Sequence, residues 1–294
     1  VDAAKQIILS PRGRDNLHYM MSAWLEYSRV STLTKTNVEN FETLRDQMRE
    51  ETRRFLDAVV LDAGGGVREL LTANTTNPTS DLAALYGFPA PAADYASVTR
   101  PETAGVGILA QGSVLSTEAS SSHSSPTQRG LLVLEKFLCR TPPIVPATVP
   151  ELPAPIVGET TTRQRYEELH AKSGACKKCH EQFDPIGFGF EHFDEVGRYR
   201  ADEAGLPVDS TSHVPGADEP LFEFEGQNDL AAGLASEPEV QACVSAQLKV
   251  FAFGTETACL GETERAKFMS GALGFVDYLA SLAAEPHFGG RQAE

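Results

Sequence analysis

A chain of 294 residues with 41% hydrophobic content is long enough to bury one large core or to divide into two ordinary domains. Its 25 basic against 41 acidic residues give a net charge of -16, which repels a phosphate backbone and argues against nucleic acid as a partner. The sequence contains no run of about 18 apolar residues, the length a bilayer span needs. It opens at Val1 without a basic or apolar leader, as expected where an export signal has been removed or where the chain is a piece of a longer one.

Pro11 and Gly13 mark the start of the first helix, with Asp15 as its expected cap and Leu17, Met20, Trp24 and Tyr27 at helical spacing. Between Val38 and Val59 the apolar positions Val38, Phe41, Leu44, Met48, Phe55 and Val59 recur mostly at steps of three and four, which predicts one long amphipathic helix. The two helices are expected to pack antiparallel. After Gly64, Gly65 and Gly66, short helices are predicted over Val67 to Ala73 and Leu82 to Tyr86, separated by a turn at Asn74 to Asn77. The serine-rich stretch from Gly112 to Pro126 has a composition ill suited to burial and is expected to be a loop.

A helix from Arg129 to Cys139 leads into an arm with Pro142, Pro143, Pro146, Pro150, Pro153 and Pro155, suited to extended polyproline backbone. Beyond it, Arg163 to Ala171 reads as a helix capped by Thr162, and Asp202 to Gln227 as irregular chain with room for a short hairpin. Helices are predicted over Val240 to Phe253 and Leu273 to Ala283, and Met269 sits in another. The fold class expected is mainly α: a helical subdomain over 1–104, a linking region over 105–160 and a helical domain with long irregular loops over 161–294.

The last of these segments carries Cys176-Lys177-Lys178-Cys179-His180. Two thiols three positions apart on one helical turn can each add to a haem vinyl group, and the adjacent imidazole is then held beneath the iron as proximal ligand, so 161–294 is expected to be a mono-haem, cytochrome c-like helical domain. A structural zinc site is the rival use of Cys-x-x-Cys, and it needs a second pair at matching spacing, which Cys243 and Cys259 do not provide. Downstream, Phe183, Ile186, Phe188, Phe190, Phe193 and Tyr199 offer either a dry wall for a porphyrin or ordinary core. Asp184-Pro185-Ile186-Gly187 is a turn signature, and a carbonyl in it is expected to orient the His180 ring. Arg198 and Arg200 suit haem propionates, although solvated surface arginines are the favoured account of them. Lys177 and Lys178 offer a small positive spot for a redox partner on an acidic body, and simple solubility explains them equally well.

The segment from Arg163 to Arg200, with Asp184-Pro185-Ile186-Gly187-Phe188, Glu191-His192-Phe193-Asp194 and Gly197-Arg198-Tyr199-Arg200, resembles the planctomycete-type cytochrome-like proteins. These are large exported proteins assembled from several domains of unknown function. The likeness extends back through Ser125 to Gly130 and Leu138-Cys139, and forward through Cys243 and Phe253-Gly254, covering about residues 105 to 291 and more weakly the helical beginning. It implies export and one covalently bound haem c, and it leaves the reaction open. Where that family often carries a histidine before the serine run, this chain has Glu118.

Cysteine arithmetic points to the same compartment. With Cys176 and Cys179 given to haem, Cys243 and Cys259 are expected to form a disulfide worth about 3 kcal/mol, with Cys139 left as a buried thiol or an alternative partner. Candidates for the sixth iron ligand are His123, in the serine-rich loop, and Met269; core packing is the competing role for Met269 and solvation for His123. The function expected is periplasmic or other extracytoplasmic electron transfer with a redox partner protein, within a larger extracytoplasmic assembly. The alternatives are a haem peroxidase or oxygenase whose open distal side is served by His123 or Glu118, and a structural subunit of a surface assembly.

Overall fold

The structure is a computed structural model that describes residues 1–144, 160–170, 174–254 and 262–284. The described chain is mainly helical, as the apolar periodicity predicts. Helix α1 (Asp2–Leu9) precedes α2 (Pro11–Leu25), whose cap is Ser10 rather than Asp15. The Ser10 hydroxyl accepts from the Gly13 amide, and Pro11, with no N–H to leave unsatisfied, opens the first turn. Asp15 instead faces Arg53, and Arg14 pairs with Asp57, so the start of α2 lies beside the end of α3 (Phe41–Leu56) and the pair is antiparallel. The second helix begins three residues later than its apolar pattern, because Asn40 takes the left-handed backbone region before it.

Helices α4 (Val67–Thr72) and α5 (Ser80–Tyr86) stand where expected. The turn between them contains strand β1 (Thr75–Thr76), paired antiparallel with β2 (Val98–Thr99). The stretch read as a serine-rich loop is corrected at its start, where Gly112–Thr117 forms helix α6, buried along its whole length. Its hydroxyls are satisfied inside: Ser113 bonds Thr52 at 2.6 Å, and Ser116 donates to the Met48 sulfur. Composition treats those serines as polar, whereas their small side chains let α6 lie close against α3. The buried Lys35 ammonium closes the far end by donating to the carbonyls of Ser116, Ala119 and Ser120.

Ser125 caps helix α7 (Pro126–Lys136), and Pro142 and Pro143 follow outside any regular element. Pro146, Pro150, Pro153 and Pro155 lie outside the described residues. Helix α8 (Thr162–Gln164) is capped by Thr161 rather than Thr162, through a reciprocal pair with Gln164, and continues as a wider turn over Arg165–His170. Next come α9 (Gly174–His180) and α10 (Asp184–Phe188). The acidic region forms two small antiparallel ribbons: β3 (Asp202–Glu203) with β4 (Leu206–Pro207), and β5 (Thr211–Val214) with β6 (Phe222–Glu225). Helices α11 (Gly226–Ser236), α12 (Pro238–Phe253), α13 (Glu262–Met269) and α14 (Phe275–Leu282) complete it.

One hydrophobic cluster runs from Leu17 on α2 to Leu282 on α14 and takes in α4, α7, α10, α11 and α12. A smaller one gathers Val30, Phe41, Met48, Leu82, Tyr86 and Val196. The expected disulfide is corrected as well. Cys243 is bonded to Cys139, with Cα atoms 5.4 Å apart, and Cys259 lies outside the described residues. Helix α12 holds Cys243 against the end of α7, where its sulfur also contacts the Lys136 carbonyl and where Arg140 pairs in two-pronged fashion with Glu239. Closeness in sequence favoured Cys259; the rigid helix sets the partner.

Candidate functional site

Helix α9 carries Cys176, Cys179 and His180 in its last two turns. Both cysteines are free thiols and half-buried, and Cys179 packs against the main core. They sit at i and i+3, hence on one face of the helix, and His180 follows directly. After a short turn, α10 begins at Asp184, with Pro185 in its first turn, where a missing N–H costs nothing.

The two helices meet through their polar ends. His180 Nδ1 lies 2.7 Å from Asp184 Oδ2, while Thr127 on α7 donates to the other carboxylate oxygen at 2.6 Å. Asp184 is 3% exposed, so the contact is shielded from water. A carboxylate acceptor places the proton on Nδ1, which makes Nε2 the nitrogen that bears the lone pair. Asp184-Pro185-Ile186-Gly187, expected as a turn, instead forms the start of α10, and it holds the His180 ring through the Asp184 carboxylate rather than a backbone carbonyl.

Two glycines make this geometry reachable. A Cβ on Gly130 would stand 1.9 Å from the Phe183 carbonyl oxygen, and one on Gly187 would stand 1.9 Å from the Pro126 carbonyl oxygen. Helices α7 and α10 therefore touch backbone to backbone, which brings Thr127 within reach of Asp184.

Beside His180 is a groove of about 400 Å³, lined by Glu167, Lys177, His180, Glu181, Asp184, Pro185 and Phe188. It falls within the size range of small-molecule sites. The Arg163 guanidinium lies over the Phe188 ring at 4.7 Å. Phe183 stands 5.2 Å from the His180 ring, and with Ile186, Phe190 and Phe193 it belongs to the main core. Tyr199 stacks on His192, away from the groove.

Arg198 and Arg200 do not line the groove. Arg198 is held by Asp194 at 2.6 Å, and Arg200 by Glu203 at 2.8 Å, Glu191 at 3.3 Å and the Ser124 hydroxyl at 2.9 Å. His123 contacts the Ser124 carbonyl through Nδ1 at 2.8 Å, and Met269 ends α13; neither reaches the groove. Glu118 is nearly buried, and loss of water around it pushes its carboxyl up to about 7.

Among the described residues no group of three or more His, Cys, Asp or Glu side chains gathers as a metal cluster. A haem iron takes four ligands from its own porphyrin and asks the protein for one or two, so the donor set on α9 fits it: two unbonded thiols and one oriented imidazole. Asp184, Thr127 and the paired glycines were not legible as site residues. The usable signal was the i, i+4 spacing of His180 and Asp184.

Residues 105–203, which contain this whole arrangement, match the family model PSCyt3, described as protein of unknown function (DUF1588). Residues 2–88 match PSD4, described as protein of unknown function (DUF1592). Both are planctomycete cytochrome-like domains of unknown function. Searches of curated proteins and of solved structures found no match. No helix among the described residues is long and apolar enough to cross a membrane.

Proposed function

We propose that this chain is an extracytoplasmic c-type haem protein that holds one haem covalently and passes electrons to and from a partner protein. The observation that carries the reading is the pair of free thiols on α9, Cys176 and Cys179, with His180 beside them, in a chain whose other described cysteines are bonded to each other. A bound haem supplies one-electron exchange between ferric and ferrous iron.

The protein's part is attachment, orientation and exclusion of water. Cys176 and Cys179 would hold the haem, each through a thioether to one vinyl group, which would fix the ring at two points. His180 would be the iron ligand through Nε2, because Asp184 engages its Nδ1 at 2.7 Å. Phe188 and Pro185 give the groove an apolar side. Arg198 and Arg200 stay with their own carboxylates and have no role at the propionates in this reading. Lys177 and Lys178 are exposed at the motif and offer a positive contact on an otherwise acidic surface. The Cys139–Cys243 bond is of the kind that persists in oxidising compartments.

The test is expression in a periplasm equipped for c-type maturation, followed by extraction with acidified acetone and intact-mass measurement. Pigment that stays with the polypeptide, and a mass raised by one haem, is the expected result. A bare polypeptide mass under conditions that load a control cytochrome overturns the reading.

A further inference from the structure

We propose that Asp184 is a positioning residue that strengthens electron donation from His180 to the iron, so that the bound haem has a low reduction potential and rests in the ferric state. The proposal builds on the haem reading and deepens it. A proximal imidazole whose Nδ1–H meets a neutral acceptor remains a neutral ligand. One whose Nδ1–H meets a carboxylate at 2.7 Å gains imidazolate character and becomes more basic at Nε2.

Three features make the contact a fixed part of the fold. Asp184 is buried, so water does not compete for its charge. Thr127 holds the far carboxylate oxygen at 2.6 Å and prevents rotation. The backbone contact between α7 and α10, made possible by Gly130 and Gly187, locks both helices in place. Of the other charges at the groove, Glu167 is paired with Arg163 at 3.1 Å and Glu181 stands with Lys177 in the lining, so the carboxylate of Asp184 is the one that bears directly on the His180 ring.

Reduction adds one electron to the iron and makes or breaks no bond to Asp184. Ferric iron carries one more positive charge than ferrous, so a nearby fixed negative charge stabilises the oxidised form more. The haem should accept electrons from a strongly reducing donor and release them readily, which places its acceptor at higher potential.

The experiment compares midpoint potentials of the wild-type holoprotein and Asp184→Asn by spectroelectrochemical titration, with covalent haem checked in each by mass. Asparagine keeps the shape and removes the charge. The ferric-to-ferrous equilibrium is expected to shift at least tenfold toward ferrous, or about 59 mV upward for one electron. Haem present in both proteins, with potentials differing by less than twofold in that equilibrium, overturns the Asp184 role and leaves the haem reading standing. Haem absent from the wild type sinks the haem reading itself.

If the variant does not load, the wild type alone decides through ¹⁵N-histidine NMR of its low-spin ferrous form, with carbon monoxide added where the sixth position is open. A strongly deshielded proximal ring N–H supports the carboxylate contact. A ring N–H resonating as in an imidazole bonded to a neutral acceptor overturns it.

Discussion

The sulfurs of Cys139 and Cys243 are bonded, fastening the chain just past α7 to the middle of α12 across 104 residues. A link that closes so long a loop removes much freedom from the unfolded chain, on the order of 4 to 5 kcal/mol in the chain-entropy model. The double variant Cys139→Ala, Cys243→Ala is expected to lose about 3 to 5 kcal/mol of stability, read from guanidinium unfolding. Reductant should lower the wild-type midpoint similarly and leave the double variant unmoved. A reductant-insensitive wild type would mean that the bond is absent.

The two thiols on α9 have separable contributions under the haem reading. Cys176→Ala and Cys179→Ala should each retain pigment through one thioether, with the reduced absorption bands moved to longer wavelength by the surviving vinyl group. The double variant should release all of its pigment into acidified acetone. Equal, complete loss from either single variant would contradict attachment at two points.

Gly130 and Gly187 test how closely α7 must approach α10. A methyl group at either position meets a carbonyl oxygen at 1.9 Å, a clash with backbone rather than with a flexible side chain. Alanine at each site is expected to cost about 1 to 3 kcal/mol by forcing the helices apart. Urea midpoints measure this. Gly64→Ala is a useful contrast, because an added Cβ there meets nothing within 4 Å and only its left-handed backbone, φ 67°, resists substitution.

What could be read from the residues and what could not divides along a physical line. Helices α2 and α3 were legible because Leu17, Met20 and Trp24, and Phe41, Met48 and Phe55, bury one face at helical spacing. The thiols and imidazole on α9 were legible because their chemistry depends on neighbours within one turn. Helix α6 was not, since its serines are buried through partners, Thr52 and Met48, that lie some sixty residues earlier. The disulfide failed for the same reason: nothing near Cys243 in sequence points to Cys139. Lys35 and Arg129 are long cations spent inside on carbonyls of other segments, a use that no local pattern announces.

Glu118 should make stability depend on pH. Burial raises its folded carboxyl from about 4.5 to about 7. Below 4.5 it is protonated folded or unfolded and costs nothing. As pH rises toward 7 the unfolded chain ionises more readily than the folded one, so stability falls, and the full cost is present above 7. Glu118→Gln is therefore expected to be more stable than wild type by on the order of 3 kcal/mol at pH 8, with the gap closing near pH 4. Thermal melts at the two pH values measure this, and a gap of the same size at both would count against a buried ionisable carboxyl.

Arg129 presents the sharpest balance of opposing terms. It is 1% exposed, and loss of water lowers its own pKa to about 10, so the fold bears a real cost to keep a charge there. In return its two terminal nitrogens donate to four carbonyls: Phe190 at 3.1 Å, Phe193 at 2.7 Å, Leu115 at 3.2 Å and Asp194 at 2.6 Å. Those carbonyls belong to the end of α6 and to the chain leaving α10, the element that carries Asp184. Arg129→Met fills the stem volume but leaves the acceptors without this donor, and each such buried group costs about 1 to 3 kcal/mol. Relief of the desolvation cost offsets part of this, and the net loss expected is roughly 3 kcal/mol or more by urea unfolding. Arg129→Lys should fall between the two, because an ammonium has three donors and no planar fork. A methionine variant as stable as wild type would show that desolvation outweighs the hydrogen bonds, and that the contact between α6 and the chain after α10 is held by apolar packing instead.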